Sequence, residues 1–248
     1  MHWNNIKSIV ITSKKSILVV DSETQVREIL VKRLLALGYK VFLSTSGIEA
    51  IAFLNKKDID LIILDVVLPK LDGYEVCRQI RKNSYVPILI LTAVDNIASR
   101  LMGLELGADD FVTKPFSLKE VEIRIYSILR RSDFQNVKRL PTGQEIFYFG
   151  GLTVNLTKQQ VLKNNKQLLL TVIEFSLLQL LVQNAGHKLS RTAILDNIWG
   201  YKPERDIDTR IVDVHIHRLR AKLEEDPKNP DFILTARGVG YMFHTLNL

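Results

Sequence analysis

The sequence predicts an α/β protein, with a five-stranded, doubly wound parallel sheet followed by a smaller α+β domain. Short apolar runs alternate with amphipathic segments from residue 16 to residue 131, as in repeated β/α units. After a polar stretch, the remaining residues have the pattern of short strands, three helices and a closing hairpin. A chain of 248 residues is long enough for two such domains.

The composition is that of a globular protein with a basic surface. Apolar residues make up 46% of the chain and charged residues 25%, with a net charge of +7 and a pI of about 9.4. This balance favours an anionic partner, either nucleic acid or anionic lipid. The longest apolar runs are too short for a membrane span, so a membrane function is not expected. A single cysteine, Cys77, excludes an intramolecular disulfide and fits a reducing compartment.

Composition and periodicity also divide the chain into segments. We expect an N-terminal tail, a first domain, a polar linker and a second domain, at residues 1–15, 16–131, 132–145 and 146–248. The linker holds Pro141 and Gly143 and breaks the periodicity on either side.

Polar residues end four of the predicted strands of the first domain. These residues are Asp21, Asp65, Thr92 and Lys114. The carboxyl ends of strands in an open α/β sheet share one rim, where ligands bind. Two carboxylates, a hydroxyl and an ammonium therefore converge, and such a set suits binding a cation and accepting a phosphoryl group.

The motifs around these positions resemble those of a two-component receiver domain. They are Val-Asp-Ser-Glu at 20–23, Leu-Asp-Val-Val-Leu-Pro-Lys-Leu-Asp-Gly at 64–73, Leu-Thr-Ala at 91–93 and Gly-Ala-Asp-Asp-Phe-Val-Thr-Lys-Pro-Phe at 107–116. The resemblance implies that a histidine kinase phosphorylates Asp65. It further implies that Mg²⁺ is held by Asp21, Asp65 and the backbone carbonyl of Val67.

The same resemblance assigns the residues that respond to the phosphoryl group. Thr92 and Lys114 would hold its oxygens, and Phe111 occupies the position of the switch aromatic. The Lys114–Pro115 bond would be cis, an isomer that is inexpensive only before proline.

One position departs from the receiver pattern. The family has two adjacent acids after the first strand, and the second of them binds the metal, but here that position is Ser22. A hydroxyl is a neutral and weaker Mg²⁺ ligand. Ser22 could instead cap the first helix, in a capping box with Gln25. Either way the pocket lacks one negative charge, and Glu23 is the first candidate to complete it.

The second domain holds a long predicted helix, at residues 207–224, with two distinct faces. One face is an apolar stripe that we expect to be buried, formed by Val212, Ile216, Leu219 and Leu223. The opposite face mixes cations, histidines and aliphatic residues, namely Arg210, Ile211, Val214, His215, His217 and Arg218. Such a mixture fits the DNA major groove, where arginine reads guanine and apolar groups contact the thymine methyl.

This half resembles the winged helix-turn-helix output domain of the OmpR/PhoB family. The matching motifs are Val-Asp-Val-His-Ile at 212–216, Arg-Leu-Arg at 218–220 and Thr-Ala-Arg-Gly-Val-Gly-Tyr at 235–241. The resemblance makes the long helix the recognition helix and the closing hairpin the wing, with Arg237 reaching the minor groove or its phosphates. The predicted DNA contacts are Arg210, Ile211, Val214, His215, Arg218 and Arg237.

The order of receiver, linker and winged helix is that of an OmpR/PhoB response regulator, most like those of cyanobacteria and red-algal plastids. The expected function is transcription regulation without enzymatic turnover, in the cytoplasm or the plastid stroma. The expected partners are Mg²⁺, a sensor histidine kinase, direct-repeat sites in double-stranded DNA, RNA polymerase and a second copy of the chain. In the dimer, Arg100 would meet Glu120, Asp110 would meet Arg124, and Asp109 would meet Arg131.

Two alternatives stay open at this stage. The first is a regulator of the same fold that works without phosphorylation, because Ser22 replaces the metal-binding acid. The second is an α/β phosphohydrolase with Asp21 as its nucleophile, for which Glu23 only loosely supplies the second acid.

Overall fold

The computed structural model describes residues 15–93, 97–133, 146–201 and 208–245. The elements of the first domain, in chain order, are β1 (Ser16–Val20), α1 (Thr24–Ala36), β2 (Lys40–Ser44), α2 (Gly47–Leu54), β3 (Leu61–Asp65), α3 (Gly73–Arg81), β4 (Ile88–Thr92), α4 (Ile97–Glu105), β5 (Asp110–Thr113) and α5 (Leu118–Asp133). This alternation of strand and helix confirms the α/β prediction.

The five strands form one parallel sheet in the order β2-β1-β3-β4-β5. Strands β3 and β4 are buried along their whole length, because helices cover both faces of the sheet. The chain moves outward from β1 to β2 and then returns to the other side of β1. This reversal opens a crevice at the carboxyl ends of β1 and β3, which is where ligands bind in such sheets.

The start of α1 differs from the prediction. The expected capping box of Ser22 and Gln25 is wrong, since the N-cap residue is Glu23 and its side chain makes no capping hydrogen bond. Ser22 instead donates its hydroxyl to the carbonyl of Val67 at 3.1 Å, while the Glu23 carboxylate contacts Lys114. Both polar side chains are thus turned toward the crevice, so neither of them caps the start of α1.

The second domain is built from two antiparallel sheets around three helices. Its elements are β6 (Ile146–Phe149), β7 (Leu152–Asn155), β8 (Gln160–Lys163), β9 (Lys166–Leu168), α6 (Val172–Gln183), β10 (Leu189–Ser190), α7 (Arg191–Trp199), α8 (Arg210–Leu223), β11 (Ile233–Ala236) and β12 (Gly240–Phe243). The sheet orders are β6-β7-β8-β9 and β10-β12-β11. The hairpin of β11 and β12 turns through Gly238, whose φ of +73° suits glycine.

The helices of this domain follow their sequence signals. Thr171 and Glu174 form a capping box at the start of α6. The predicted stripe of α8 is confirmed as core, because its four residues are at most 1% exposed: Val212, Ile216, Leu219 and Leu223. The helix itself begins at Arg210, three residues later than predicted.

Two predicted segments fall largely outside the described residues. Of the N-terminal tail at 1–15 only Lys15 is described, and of the linker at 132–145 only the first two residues, which end α5. In the part of the chain that is described, no helix is long and apolar enough to cross a membrane.

The two domains contact each other through helices. Helix α8 packs against α4, and α5 packs against α6 and α7. The face of the sheet domain formed by α4, β5 and α5 is therefore covered by the second domain.

Gly73 gives the first testable prediction, because it ties the fold to the crevice. A Cβ atom at this position would lie 2.1 Å from the backbone carbonyl oxygen of Asp65 and 2.8 Å from the Cα of Val66. Backbone atoms cannot yield without moving the end of β3. We expect Gly73→Ala to lower the free energy of unfolding by about 1–3 kcal/mol in urea titrations, as overpacking does. An unchanged unfolding midpoint would contradict this contact.

Candidate functional site

The crevice brings three carboxylates onto one ammonium group. The Nζ atom of Lys114 lies 3.0 Å from Asp65 Oδ2, 2.9 Å from Asp21 Oδ2 and 2.9 Å from Glu23 Oε1. Asp21 and Asp65 are buried, whereas Glu23 is exposed. The structure brings together Asp21, Asp65 and Lys114, three of the four residues predicted to share this rim, and Glu23 joins them.

The charges in this cluster perturb each other. Burial raises the pKa of the Asp65 carboxyl and the negative charge of Asp21 raises it further, while Lys114 opposes both effects. Burial alone would lower the pKa of the Lys114 ammonium, but its hydrogen bonds to Glu23, Asp21 and Asp65 raise it instead. Lys114 is therefore held as a cation beside the Asp65 carboxylate, whose negative charge is disfavoured by burial and by Asp21. This arrangement suits the arrival of another positive or electrophilic group.

The backbone of the loop after β3 completes the crevice. The N–H of Val67 donates to Asp65 Oδ1 at 3.3 Å, and the Val67 carbonyl accepts the Ser22 hydroxyl. One oxygen from each of Asp21, Glu23 and Asp65 lies within 4.8 Å of the others. Hard oxygen donors at this spacing fit a magnesium ion, for which Asp21, Asp65 and the Val67 carbonyl were predicted as ligands.

The predicted switch residues lie next to this cluster. Thr92 is buried at the end of β4, and its side chain interacts with the phenol of Tyr74. That phenol donates to the backbone carbonyl of Ser99 on α4 at 2.9 Å. Phe111 is nearly buried on β5, with the guanidinium of Arg100 over its ring at 5.4 Å. Sequence reasoning missed Tyr74, which joins the Thr92 position to α4.

The loop after β5 also matches the prediction. The Lys114–Pro115 bond is cis. The N–H of Lys114 donates to the Thr92 carbonyl at 2.7 Å, so the ends of β4 and β5 stay together at the crevice.

The predicted recognition helix lies against the first domain. Arg218 Nη1 donates to the carbonyls of Leu104 at 3.1 Å and Ala108 at 2.8 Å, both at the carboxyl end of α4. Its Nη2 forms an ion pair with Glu174 of α6 at 2.9 Å. In this arrangement the guanidinium is bonded within the chain and does not face solvent.

We call the region where the two domains meet the interdomain contact. It consists of α8 and the segment 199–201 on one side, and α4, Asp109, Asp110 and α5 on the other. Three more of the predicted DNA contacts are buried in this region. Ile211, Val214 and His215 are 2%, 8% and 0% exposed. The His215 ring lies 5.1 Å from that of Trp199, whose indole N–H donates to the Asp109 carbonyl at 3.3 Å.

The predicted DNA contacts therefore divide into two groups. Arg210 and Arg237 are exposed, as is His217. The other four, Ile211, Val214, His215 and Arg218, are covered, so the sequence-based expectation of a free helix face does not hold in this arrangement. Their role in DNA binding stays a prediction, and it requires the two domains to separate.

Several residues of the predicted dimer face are bonded within the chain. Arg124 lies 3.0 Å from Asp110, because β5 and α5 are neighbours, and 2.6 Å from Glu120, which is one turn earlier on α5. The Tyr201 hydroxyl donates to Asp110 at 2.9 Å, and the Arg124 guanidinium lies over the Tyr201 ring.

Asp109 pairs with Arg81 at 2.9 Å, and Arg131 is buried in the same region. The second domain thus covers the charges that were predicted to cross between subunits, so the dimer pairs stay untested.

Comparison with known families covers both domains. Residues 17–126 match the family described as "Response regulator receiver domain", and residues 165–243 match "Transcriptional regulatory protein, C terminal". Together they define the class as a response regulator with a DNA-binding output domain. The chain belongs to the OmpR/PhoB type of that class, and its function is two-component regulation of transcription, not enzymatic catalysis.

The similar proteins are plastid-encoded regulators of algae. The chain is 53% identical over 233 residues to the "Probable transcriptional regulator ycf27" of Porphyra purpurea, covering 94% of this chain and 96% of that one. It is 52% identical over 231 residues to the same-named protein of Cyanophora paradoxa, covering 93% and 97%. Among solved structures, a mutant of RitR aligns with a TM-score of 0.70 and 27% identity, covering 92% of this chain and 98% of that one.

The interdomain contact gives a pH prediction through His215. Burial lowers the pKa of its imidazole well below the usual value, the charges of Arg218 and Arg131 lower it further, and the Asp109 carbonyl opposes them. When the domains separate, the pKa should return toward about 6.5. The neutral His215 ring therefore stabilises the interdomain contact fully above about pH 6.5, and this stabilisation is lost as the pH falls below that value.

The emission of Trp199 reports this opening in a Trp3→Phe background, since these are the chain's two tryptophans. We expect a red shift on acidification that His215→Gln removes and that the exposed-site control His217→Gln keeps. Burial raises the pKa of Asp109, so titration of that carboxyl would strengthen the contact in acid and shift emission the opposite way. A red shift that persists in His215→Gln would show that protonation of His215 is not what opens the interdomain contact.

Proposed function

We propose that this regulator is switched by transfer of a phosphoryl group from a sensor histidine kinase to Asp65. The observation that carries this proposal is the Lys114 ammonium, which holds Asp65 and Asp21 together at the carboxyl rim of the sheet. A carboxylate oxygen of Asp65 attacks phosphorus while the bond to the kinase histidine breaks. Little covalent assistance is needed, because positioning and charge neutralisation dominate such transfers.

The surrounding residues each have a task in this transfer. Asp21, Asp65 and the Val67 carbonyl would hold Mg²⁺, which neutralises charge on the phosphoryl oxygens when bound. Lys114 supplies a point charge to those oxygens. The Thr92 hydroxyl, one strand away, would leave Tyr74 and donate a hydrogen bond to a remaining phosphoryl oxygen.

We also propose that α8 and the wing bind DNA, with α8 in the major groove. The exposed positions of Arg210 and Arg237 support this assignment, as does the basic net charge of +7. In the closed arrangement the other four predicted contacts face the first domain. DNA binding therefore requires the interdomain contact to open, and phosphorylation of Asp65 is the event that would favour opening.

Opening would free a second surface at the same time. Asp109, Asp110 and Arg124 lie on the face that a second copy of the chain would use. A homodimer on direct-repeat DNA, with contacts to RNA polymerase in a plastid, is the assembly that we propose. The phosphohydrolase alternative is wrong, because both domains match regulator families. The alternative of a phosphorylation-independent regulator is what the next experiment decides.

Asp65→Asn tests the switch. With acetyl phosphate and Mg²⁺, the wild-type chain should incorporate phosphate and bind its DNA more tightly, whereas Asp65→Asn should do neither. Asp58→Asn, an exposed carboxylate near the start of β3, is the matched control and should behave as wild type. Equal DNA binding by wild type and Asp65→Asn, with and without phosphodonor, would instead favour the phosphorylation-independent regulator.

Arg218 and Arg237 should differ in what they contribute to DNA binding. Arg218→Ala should lower the ratio of specific to random-DNA affinity. The loss should correspond to roughly 1–3 kcal/mol of discrimination, as expected when one base contact is removed. Opening of the interdomain contact affects both affinities equally, so the ratio isolates base reading. Arg237→Ala should weaken both affinities alike and reduce the salt slope by about 1. An unchanged ratio of specific to random-DNA affinity in Arg218→Ala would contradict a base contact by Arg218.

A further inference from the structure

The crevice lacks one acid of the receiver pattern, and the residue in its place is already engaged. Ser22 donates its hydroxyl to the Val67 carbonyl at 3.1 Å. This bond keeps Ser22 close to the loop after β3, but a hydroxyl brings no negative charge. Charge on the ligands sets the affinity for a hard divalent cation, so Ser22 cannot replace a carboxylate.

The next residue points its carboxylate into the crevice. Glu23 Oε1 lies 2.9 Å from Lys114 Nζ, although the Glu23 side chain is 61% exposed. The backbone N–H of Glu23 donates to Asp21 Oδ1 at 2.8 Å, which fixes the chain direction at this point. As the N-cap residue, Glu23 could have turned toward the amides of α1, where a negative charge is favoured, but it makes no such bond.

A cation is already held where the three carboxylates meet. Lys114 Nζ is within 3.0 Å of an oxygen from each of Asp21, Glu23 and Asp65. One oxygen from each carboxylate lies within 4.8 Å of the others. Ligands on opposite sides of a magnesium ion are roughly 4.2 Å apart, since each bond is about 2.1 Å. The cluster thus has the charge and the spacing of a divalent-ion site.

We propose that Glu23 supplies the carboxylate that Ser22 lacks, so that Asp21, Glu23 and Asp65 together hold Mg²⁺ in this chain. Lys114 is then released from the carboxylates to the incoming phosphoryl oxygens. This inference rests on the proposed function for what the ion does, but ion binding itself is measured without any phosphodonor. Glu23 carries one methylene more than aspartate and starts exposed, so ordering it costs entropy and the site is weaker than one with two adjacent acids.

Calorimetric titration of the full chain with Mg²⁺ tests the inference. Glu23→Gln keeps the size of the side chain and removes its charge, and it should raise the Kd for Mg²⁺ by about tenfold or more. Ser22→Ala should change the Kd by less than about twofold, because the hydroxyl is not a charged ligand. Glu28→Gln, which alters an exposed carboxylate on α1, is the matched control and should bind as wild type.

A double variant separates ligand loss from damage to the crevice. Ser22→Asp combined with Glu23→Gln moves the carboxylate back to the family's position and should restore Mg²⁺ affinity. Wild-type affinity in Glu23→Gln, beside clear loss in Asp21→Asn, would overturn the inference. Loss in Glu23→Gln that Ser22→Asp does not rescue would also overturn it. If every variant shows the expected Mg²⁺ affinity but Asp65 is not labelled by a phosphodonor, the inference stays intact and the proposed phosphorylation is refuted.

Discussion

The arrangement depends first on the Lys114 ammonium among buried carboxylates. Two acids that end β1 and β3 would repel each other in a buried crevice, and burial already raises the pKa of Asp65. A cation from the end of β5 offsets this repulsion and draws three strands of the sheet together at one point. The same compensation would make the crevice exchangeable, because a metal ion could balance the carboxylates that Lys114 now balances and so release Lys114 to an anionic phosphoryl group.

In the interdomain contact, Arg218 of α8 meets hydrogen-bond acceptors similar to those that it would meet on DNA. Arg218 donates to the carbonyl oxygen of Leu104, in the last turn of α4 where the helix dipole is negative, and to that of Ala108, just after the helix. A guanine edge also presents two acceptors to a bidentate arginine. In the closed arrangement the Arg218 guanidinium is therefore satisfied by the same kind of partner that it would meet in the major groove.

Much of this could be predicted from sequence because it follows from periodicity and strand ends. The parallel sheet, the positions of Asp65 and Lys114 and the buried stripe of α8 came from apolar runs and their spacing. The first helix start was predicted wrongly, because the Ser22 hydroxyl could either accept from a backbone N–H of α1 or donate to the Val67 carbonyl, and the tertiary bond prevailed. The cover over Ile211 and His215 was also not predictable, since a helix face suited to DNA looks the same when it meets another domain.

Helix α4 contacts both functional regions. Near the crevice, Tyr74 bridges the Thr92 side chain and the Ser99 carbonyl on α4. At its other end, α4 receives Arg218 of α8. A phosphoryl group that draws Thr92 away from Tyr74 would remove one of the contacts of that phenol beside α4. The polar groups of the interdomain contact can be rehydrated on opening, and a bias of a few kcal/mol is enough to shift such an equilibrium. The position of α4 thus places the proposed phosphoacceptor site and the proposed recognition helix at opposite ends of one element.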